Sequence, residues 1–463
     1  MSKTLLFYDL ETNGLTSLDQ ILSYASIRVD LNTLELIEQT DIKVQWRRDA
    51  FPSLDAYHVH GISIDHHKEG VSECAAIQTI HNQVNQGATL SGGYNTLGFD
   101  DGMLRFAFFR NLLPVYTHQY QNNCGRFDVL PLVVFYYLYS PDSLKWPKHP
   151  DGRTSFKLED LNHENKWLEG NAHEALHDVQ VTVALAKQLR LNKPMWDYLL
   201  GYFDKHIDYQ RISDLSHQED GPQNVGVLVD LRLGSANDYH VPVYYLGPHH
   251  QMKNQSVFLR LDQPLDLKDT SAIDHLVVRK KHGEPGFILP YKAKYLKRKP
   301  ESLAKLVADN VTKLGACSHF DDLSNHFRHL ATHFPDQVDV DASLYSEGFL
   351  SVEEQSWCQK FLSSGQNGRV SLLSDIKNEF VYKRALRFMW RHFPEQIPAE
   401  RLFDARSTMN DYVYHGVDHR GKDRATLSEI YQSLSNDDSP EALKMMAHFK
   451  KLETSLTTPD QST

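Results

Sequence analysis

The chain has 463 residues, 41% hydrophobic and 24% charged, with a net charge of −11. At roughly 100–200 residues per domain this length suits two to four domains and excludes a single small module, and no apolar run nears the roughly 18 residues of a membrane-spanning helix. The acidic balance argues against a nucleic-acid partner unless basic groups are gathered locally, because phosphate binding leaves a basic footprint.

The opening stretch MSKTLLFYDLETNG holds only a few apolar residues before its first acids. It is therefore not read as a secretory signal, and the expected location is cytoplasmic. Residues 4–9, 21–29 and 36–46 read as strands, separated by Asn13-Gly14 and by the turn from Asp30 to Thr33, with 88–95 as a fourth. Helical patterns follow at 100–112, at 126–140 despite Pro131, and at 172–190. In the last of these Ala172, Ala175, Leu176, Val179, Val183, Ala186 and Leu189 recur at helical spacing. Strands followed by helices predict an α/β domain over 4–190.

From 195 to 340 the texture changes to short β-like runs (NVGVLVDLRL, YHVPVYYLG, QSVFLRLD, HLVVRKK, FILPYKAKYL), which predicts a second, β-rich domain. Strand signals then fade. Helices are expected at 352–363, 372–392, 400–412, 426–435 and 440–455, the last begun by Ser439-Pro440, so 341–463 reads as a helical domain. Cys74, Cys124, Cys317 and Cys358 are far apart with no CxxC pair, and free thiols are expected.

One local exception breaks the acidic balance. Between Arg279 and Lys299 stand Arg279, Lys280, Lys281, Lys292, Lys294, Lys297, Arg298 and Lys299 against the single acid Glu284. Tyr291 and Tyr295 are interleaved among them, a pattern suited to a single-strand groove in which bases stack on rings and ammonium groups follow the backbone.

The chemistry concentrates in the first domain. Asp9 and Glu11 lie two apart at the C-terminal end of the first strand, so the period of two turns both carboxylates to one face, where ligand sites of α/β sheets gather. Asp100 follows YNTLGF at a strand-to-helix junction, and Asp178 lies in the apolar-striped helix with His173 five residues before it. Four carboxylates offer the hard oxygen ligands that Mg²⁺ or Mn²⁺ prefers, and the histidine can take a proton from an attacking water. That set suits two-metal hydrolysis of a phosphodiester.

The order DxE, later Asp, later H-x4-D resembles the DEDDh (DnaQ-like) exonuclease superfamily, with Asp9, Glu11, Asp100 and Asp178 as metal ligands and His173 as general base. GYNTLGFDD, CGRFDVL, WPKHPDGRTSFKLEDL and NAHEALHDVQVT resemble, in that order, stretches of the bacterial exodeoxyribonuclease I family. VDASLYSEGF and VYKRALRFMWRHFP are similar to its C-terminal helical domain. The resemblance implies a ribonuclease H-like α/β exonuclease domain, an SH3-like domain and a helical domain, C-shaped around single-stranded DNA. It implies stepwise 3′→5′ hydrolysis to deoxynucleoside 5′-monophosphates with two Mg²⁺ ions, replaceable by Mn²⁺, in DNA repair and recombination. A monomer that contacts the acidic C-terminal tail of single-strand DNA-binding protein is implied as well. By motif, Glu11 also faces the terminal nucleotide, and Lys157 stands where the family often has an arginine, keeping the charge but losing bidentate phosphate geometry. Arg105, Tyr120 and Asn171 fall at positions similar to family DNA contacts; Asn171 reads equally as the N-cap of the helix carrying Asp178.

His173-Glu174-Ala175-Leu176-His177 also matches HExxH, the zinc-peptidase signature. Gln180 and Val183 occupy the places where the extended motif needs Gly and His, and the next glutamate, Glu219, lies past the domain boundary. The nuclease reading explains the same residues with fewer assumptions. Asp101 is the nearest rival to Asp100 as a ligand, while Asp128 and Asp160 read as caps or buried hydrogen-bond partners. Two other activities stay open on the residues alone: an RNA-trimming enzyme, and a silent DNA-binding protein, against which the presence of all four carboxylates counts.

Overall fold

The computed structural model describes residues 3–170, 174–219, 221–268, 270–330, 334–335 and 337–457. Strand β1 (Thr4–Thr12) is the organising element. Its Leu5 and Phe7 face one side and its Leu6, Tyr8 and Leu10 the other, as the two-residue period of a strand requires. β2 (Ile21–Asp30) and β3 (Leu36–Lys43) follow in antiparallel register, with Asp9 opposite Ala25 and Glu11 opposite Ser23. Helices α1 (Leu54–His60) and α2 (Glu73–Val84) lead to β4 (Thr89–Gly93), which runs parallel to β1. Next come α3 (Asp100–Arg110), β5 (Gly125–Asp128), α4 (Val129–Tyr139), α5 (Leu158–Asn165) and α6 (Ala175–Arg190). The strand order is β3-β2-β1-β4-β5.

Two glycines make the centre of this sheet possible. A Cβ at Gly92 would stand 2.0 Å from the Phe127 carbonyl oxygen, and one at Gly93 would stand 2.3 Å from that of Tyr8. Only a residue without a side chain lets β4 close between β1 and β5. Val179, Val183, Ala186 and Leu189 of α6 pack with α4 on the Leu5 and Phe7 face. Ile77 and Ile80 of α2, with Leu104 and Phe108 of α3, cover the Leu6 and Tyr8 face. Each such fully buried side chain contributes about 1.5–3 kcal/mol.

The helix expected over 126–140 is split. Gly125–Asp128 pairs with β4 as the edge strand of the sheet, and Asp128 then caps α4 by accepting from the Leu130 amide at 3.0 Å. The helix expected over 172–190 begins at Ala175.

After α7 (Lys193–Leu200) and α8 (Lys205–Ser213), a second, wholly antiparallel sheet forms from β6 (Val225–Val229), β7 (His240–Pro248), β8 (Gln255–Arg260), β9 (Val277–Lys281) and β10 (Phe287–Pro290). Its order is β10-β6-β7-β8-β9. Tyr202 stacks on Phe287 with ring centroids 4.5 Å apart, inside the cluster that also holds Val227, Leu289 and the α4 and α6 side chains, so the two sheets share apolar core. Helices α9 (Ser302–Gly315) and α10 (Phe320–His329) pack against the second sheet through Leu303, Val307, Leu323 and Phe327.

The remainder is helical: α11 (Val352–Ser363), α12 (Gln366–Asp375), α13 (Glu379–His392), α14 (Leu402–His415), α15 (Leu427–Ser435) and α16 (Pro440–Thr457). The single helix expected over 372–392 breaks at 376–378, where Asn378 caps α13 by accepting from the Phe380 and Val381 amides. Met409, Tyr412, Val413 and Phe449 close over Leu18, Phe51 and Ile64 of the first unit. A buried ion pair crosses the same boundary: Arg391 meets Asp49 at 2.9 Å and is also held by Asp341, on its own side, at 2.6 Å. Among the described residues no helix is long and apolar enough to cross a membrane, and the four cysteines are free.

Candidate active site

Asp9 and Glu11 continue the face of β1 that carries Leu5 and Phe7, the face covered by α6. Asp178 lies in the first turn of α6, and the packing of Val179 and Val183 onto the sheet holds that turn over the end of β1. As a result Asp9, Glu11 and Asp178 each offer a carboxylate oxygen within 4.8 Å of the others. Among the described residues this is the only group of three acids, histidines or cysteines so placed.

The electrostatics are those of a site lacking positive charge. Burial, then Asp100, Glu11 and Asp178, push the Asp9 carboxyl well above the usual carboxylate range. Glu11 is pushed up to about 8 by burial and by Asp178. Asp100, the first residue of α3, stands outside the group of three, and burial with the charges of Asp128, Glu11 and Asp101 pushes its carboxyl up as well. Crowded carboxylates with raised protonation are what a divalent cation relieves, and an all-oxygen donor set fits a hard ion.

Asp101 is committed elsewhere. It meets Arg126 at 2.6 Å, His118 at 3.1 Å and Arg105 at 3.2 Å, and the two guanidinium groups with the His118 hydrogen bond hold its carboxyl well below the ordinary range despite burial. Asp128 accepts from the Asn95, Leu97 and Leu130 amides and so ties the loop before Asp100 to β5; burial raises it to about 7. Asp160 accepts from Ser155 Oγ at 2.5 Å.

His173 and Asn171 lie outside the described residues. Of the peptidase motif the structure describes Glu174 onward, with Glu174 preceding α6 at its N-cap position. Arg105 is mostly buried between Asp101 and the Tyr345 ring, with its guanidinium 5.8 Å from the ring centre, rather than a free surface charge. Tyr120 is exposed, and Lys157, also exposed, precedes α5 and pairs with Glu159 at 3.2 Å.

Two clefts open beside the loop that leads into Asp100. One, of about 290 Å³, lies between the sheets and is lined by Leu97, Gly98 and Asp128 on one side and Arg232, Arg279 and Glu284 on the other. The second, of about 190 Å³, shares Leu97 and Gly98 with it and is bounded by Arg105, Tyr345, His419 and Arg420. Arg232, His419 and Arg420 were not singled out by the sequence, which offers no local signal for residues brought to the site from other units.

The basic run is only partly a surface. Lys280 is buried and pairs with Asp208 at 2.6 Å, Arg298 pairs with Asp238 at 3.0 Å, and Lys299 is half-buried on the Asn237 carbonyl. Tyr295 packs edge-on against Tyr139 at 5.4 Å, and Tyr291 is half-buried against the core. Lys281, Lys292, Lys294 and Lys297 are exposed.

A family model described as Exonuclease matches residues 6–186. Exodeoxyribonuclease I of Buchnera aphidicola subsp. Schizaphis graminum is 35% identical over 204 residues, 43% of this chain and 42% of that protein. Exodeoxyribonuclease I of Escherichia coli K12 is 32% identical over 222 residues, 46% of this chain and 47% of that protein. The matched segment spans about half the length of these curated relatives. Among solved structures, E. coli exonuclease I in complex with a dA16 oligonucleotide aligns with a TM-score of 0.80 at 22% identity, covering 98% of this chain and 100% of that one. Exonuclease I from Methylocaldum szegediense aligns at 0.82 with 20% identity, with 98% and 100% covered. A further E. coli complex holds single-stranded DNA and a zinc ion. The fold of the whole chain is therefore the exonuclease I fold.

Proposed function

Residues 6–186 form an exonuclease-family domain in a chain that is homologous to bacterial exodeoxyribonuclease I and shares its fold, and from that premise we propose that it is a metal-dependent 3′→5′ exonuclease of single-stranded DNA. The observation that carries this reading is the convergence of Asp9, Glu11 and Asp178 within 4.8 Å. We assign Asp9, Glu11, Asp100 and Asp178 to two Mg²⁺ ions, for which Mn²⁺ substitutes. Bound there, the ions supply an activated water and countercharge for the leaving oxygen. His173 takes the proton from the attacking water, and Glu11 also faces the terminal nucleotide.

In this reading the exonuclease domain spans 4–190, an SH3-like domain 195–340 and a helical domain 341–463, arranged as a C around the strand. Arg105 and Arg232, paired with Asp101 and Asp230, line the clefts with Arg420, and the exposed lysines of the basic run are assigned to answer the acidic balance of the chain as a whole. Lys157, Tyr120 and Asn171 are assigned to the strand outside them. A monomer acting in the cytoplasm, in DNA repair, in contact with the tail of single-strand DNA-binding protein, completes the proposal.

The test is digestion of 5′-labelled single-stranded DNA with Mg²⁺ or with EDTA, beside duplex DNA and RNA. A metal-dependent ladder of shortening labelled products from single-stranded DNA supports the proposal. Immediate release of labelled mononucleotide reverses the polarity, preference for RNA favours a trimming enzyme, and no cleavage favours a silent binding protein.

A further inference from the structure

The turn that follows the metal-binding end of β1 is held by residues from the far end of the chain. Leu18 is 1% exposed, and its side chain lies among Met409, Tyr412, Val413 and Phe449. Its carbonyl accepts from the Tyr412 hydroxyl at 2.8 Å and from Arg47 at 3.3 Å, while the Tyr412 oxygen itself accepts from Arg47 at 3.0 Å. The Ser17 hydroxyl accepts from the His419 amide at 3.2 Å. On the other side, Arg110 donates to the Ser17 carbonyl at 2.6 Å and to the Asp19 carbonyl at 2.8 Å. Arg110 closes α3, the helix that Asp100 begins.

One turn of chain thus joins the strand carrying Asp9 and Glu11 to the helix carrying Asp100, and Tyr412 is the side chain of the helical region that fixes it. Tyr412 is itself immobilised. It is fully buried, and the guanidinium groups of Arg424, Arg391 and Arg387 stand 4.3, 5.1 and 5.3 Å from its ring centre. Arg391 is anchored in turn by Asp49 and Asp341, and Arg387 by Asp339. Loss of a group that orients a metal ligand through a hydrogen bond costs about 10–100-fold in metal affinity or activity, and a group that fixes the element carrying the ligand acts in the same sense.

We propose that Tyr412 is a positioning residue for the metal site, through which the helical region sets the spacing of the carboxylates on β1 and α3. This rests on the nuclease reading above, and it makes the helical region part of the metal-binding scaffold.

The experiment is titration of Mn²⁺ into EDTA-treated, dialysed full-length protein, with cleavage of single-stranded DNA measured on the same samples. Tyr412→Phe removes only the hydroxyl. About tenfold weaker Mn²⁺ binding is expected, with kcat lowered and KM for DNA near the parent value. Ser17→Ala, which removes the acceptor for the His419 amide, shifts Mn²⁺ affinity in the same direction. Tyr382→Phe, which removes a hydroxyl bound to Asp404 elsewhere in the helical region, leaves it unchanged. Parent-like Mn²⁺ affinity in both Tyr412→Phe and Ser17→Ala overturns the inference, even if both melt earlier. A parent that binds Mn²⁺ without cleaving DNA overturns the nuclease reading alone, and the affinity ratio still decides this one. A parent that binds no Mn²⁺ overturns both.

Discussion

Asp178, in the first turn of α6, stands opposite Glu11 on β1, and its charge together with burial pushes the Glu11 carboxyl up to about 8. The folded protein therefore holds a proton that the unfolded chain has lost by neutral pH. With more protons bound in the folded state, stability falls as pH rises between the ordinary value of 4.5 and about 8. Asp9 and Asp100 shift in the same direction, whereas Asp49, Asp101 and Asp341 are held low and their contribution is lost only in acid, outside that window. His240, His282, His392 and His419, held down to about 4 by burial, act in the opposite sense up to the ordinary histidine value of 6.5, so in EDTA the melting temperature is expected to decline from about pH 7 to pH 8, above their range. The rise produced by Mg²⁺ or Mn²⁺ is expected to grow over the same range, because the ion binds the deprotonated ligands. A melting temperature flat across this window in EDTA would falsify the electrostatic account.

Asp178→Asn keeps the volume of the side chain and removes one charge from the group of three. Cleavage is expected to fall by at least about 10³-fold, the scale of several kcal/mol of lost charge stabilisation. The metal-free variant is expected to melt at or above the parent temperature, because Glu11 loses the charge that opposes its ionisation. Thermal melts in EDTA beside DNA digestion check both halves. Retained turnover removes Asp178 from the site.

Much of this arrangement is legible in the sequence, and the parts that are not share a physical reason. The alternation in LLFYDLET gives both the strand and the common face of Asp9 and Glu11, because a period of two is a purely local property. Strand β5 is hidden because its four residues run into the apolar helix α4 without a turn, and only pairing with β4 reveals it. Lys280 reads as part of a basic surface until Asp208 of α8 is folded against it. Motif order favours Asp100 over Asp101, but that Asp101 is tied to Arg126 and His118 shows only once those residues are folded beside it. Local periodicity is written in the chain; the partner of a buried charge is not.

The basic run consequently divides into two functional classes. Lys294 and Lys297 are exposed, and replacing both with Glu is expected to weaken binding of single-stranded DNA. It should also make the dependence of log affinity on log salt shallower by about 1.4, the loss of two phosphate contacts at about 0.7 each. Lys280→Met is expected to leave that slope unchanged while destabilising the fold by about 3–5 kcal/mol, because Asp208 is left buried and unpaired. Fluorescence anisotropy at several salt concentrations, with denaturant unfolding of each variant, separates the classes. An unchanged slope in the double variant places the strand elsewhere on the surface.

Gly92 carries the last prediction, because the site depends on how closely β4 approaches its neighbours. A methyl group there would meet the Phe127 carbonyl oxygen at 2.0 Å, an overlap with backbone that no rotamer change relieves. Gly92→Ala therefore forces β5 away from β4, and the displacement passes to Asp128, whose carboxylate holds the Asn95 and Leu97 amides in the loop before Asp100. A destabilisation of about 1–3 kcal/mol or more is expected from the overpacking, together with weaker Mn²⁺ binding at temperatures where the variant is still folded. Gly102→Ala is the comparison: a Cβ at that α3 position meets nothing within 4 Å, and alanine favours a helix over glycine by about 1 kcal/mol. Melting temperatures moving down for Gly92→Ala and not for Gly102→Ala locate the sensitivity in the strand spacing; equal losses in both would assign it to glycine content instead.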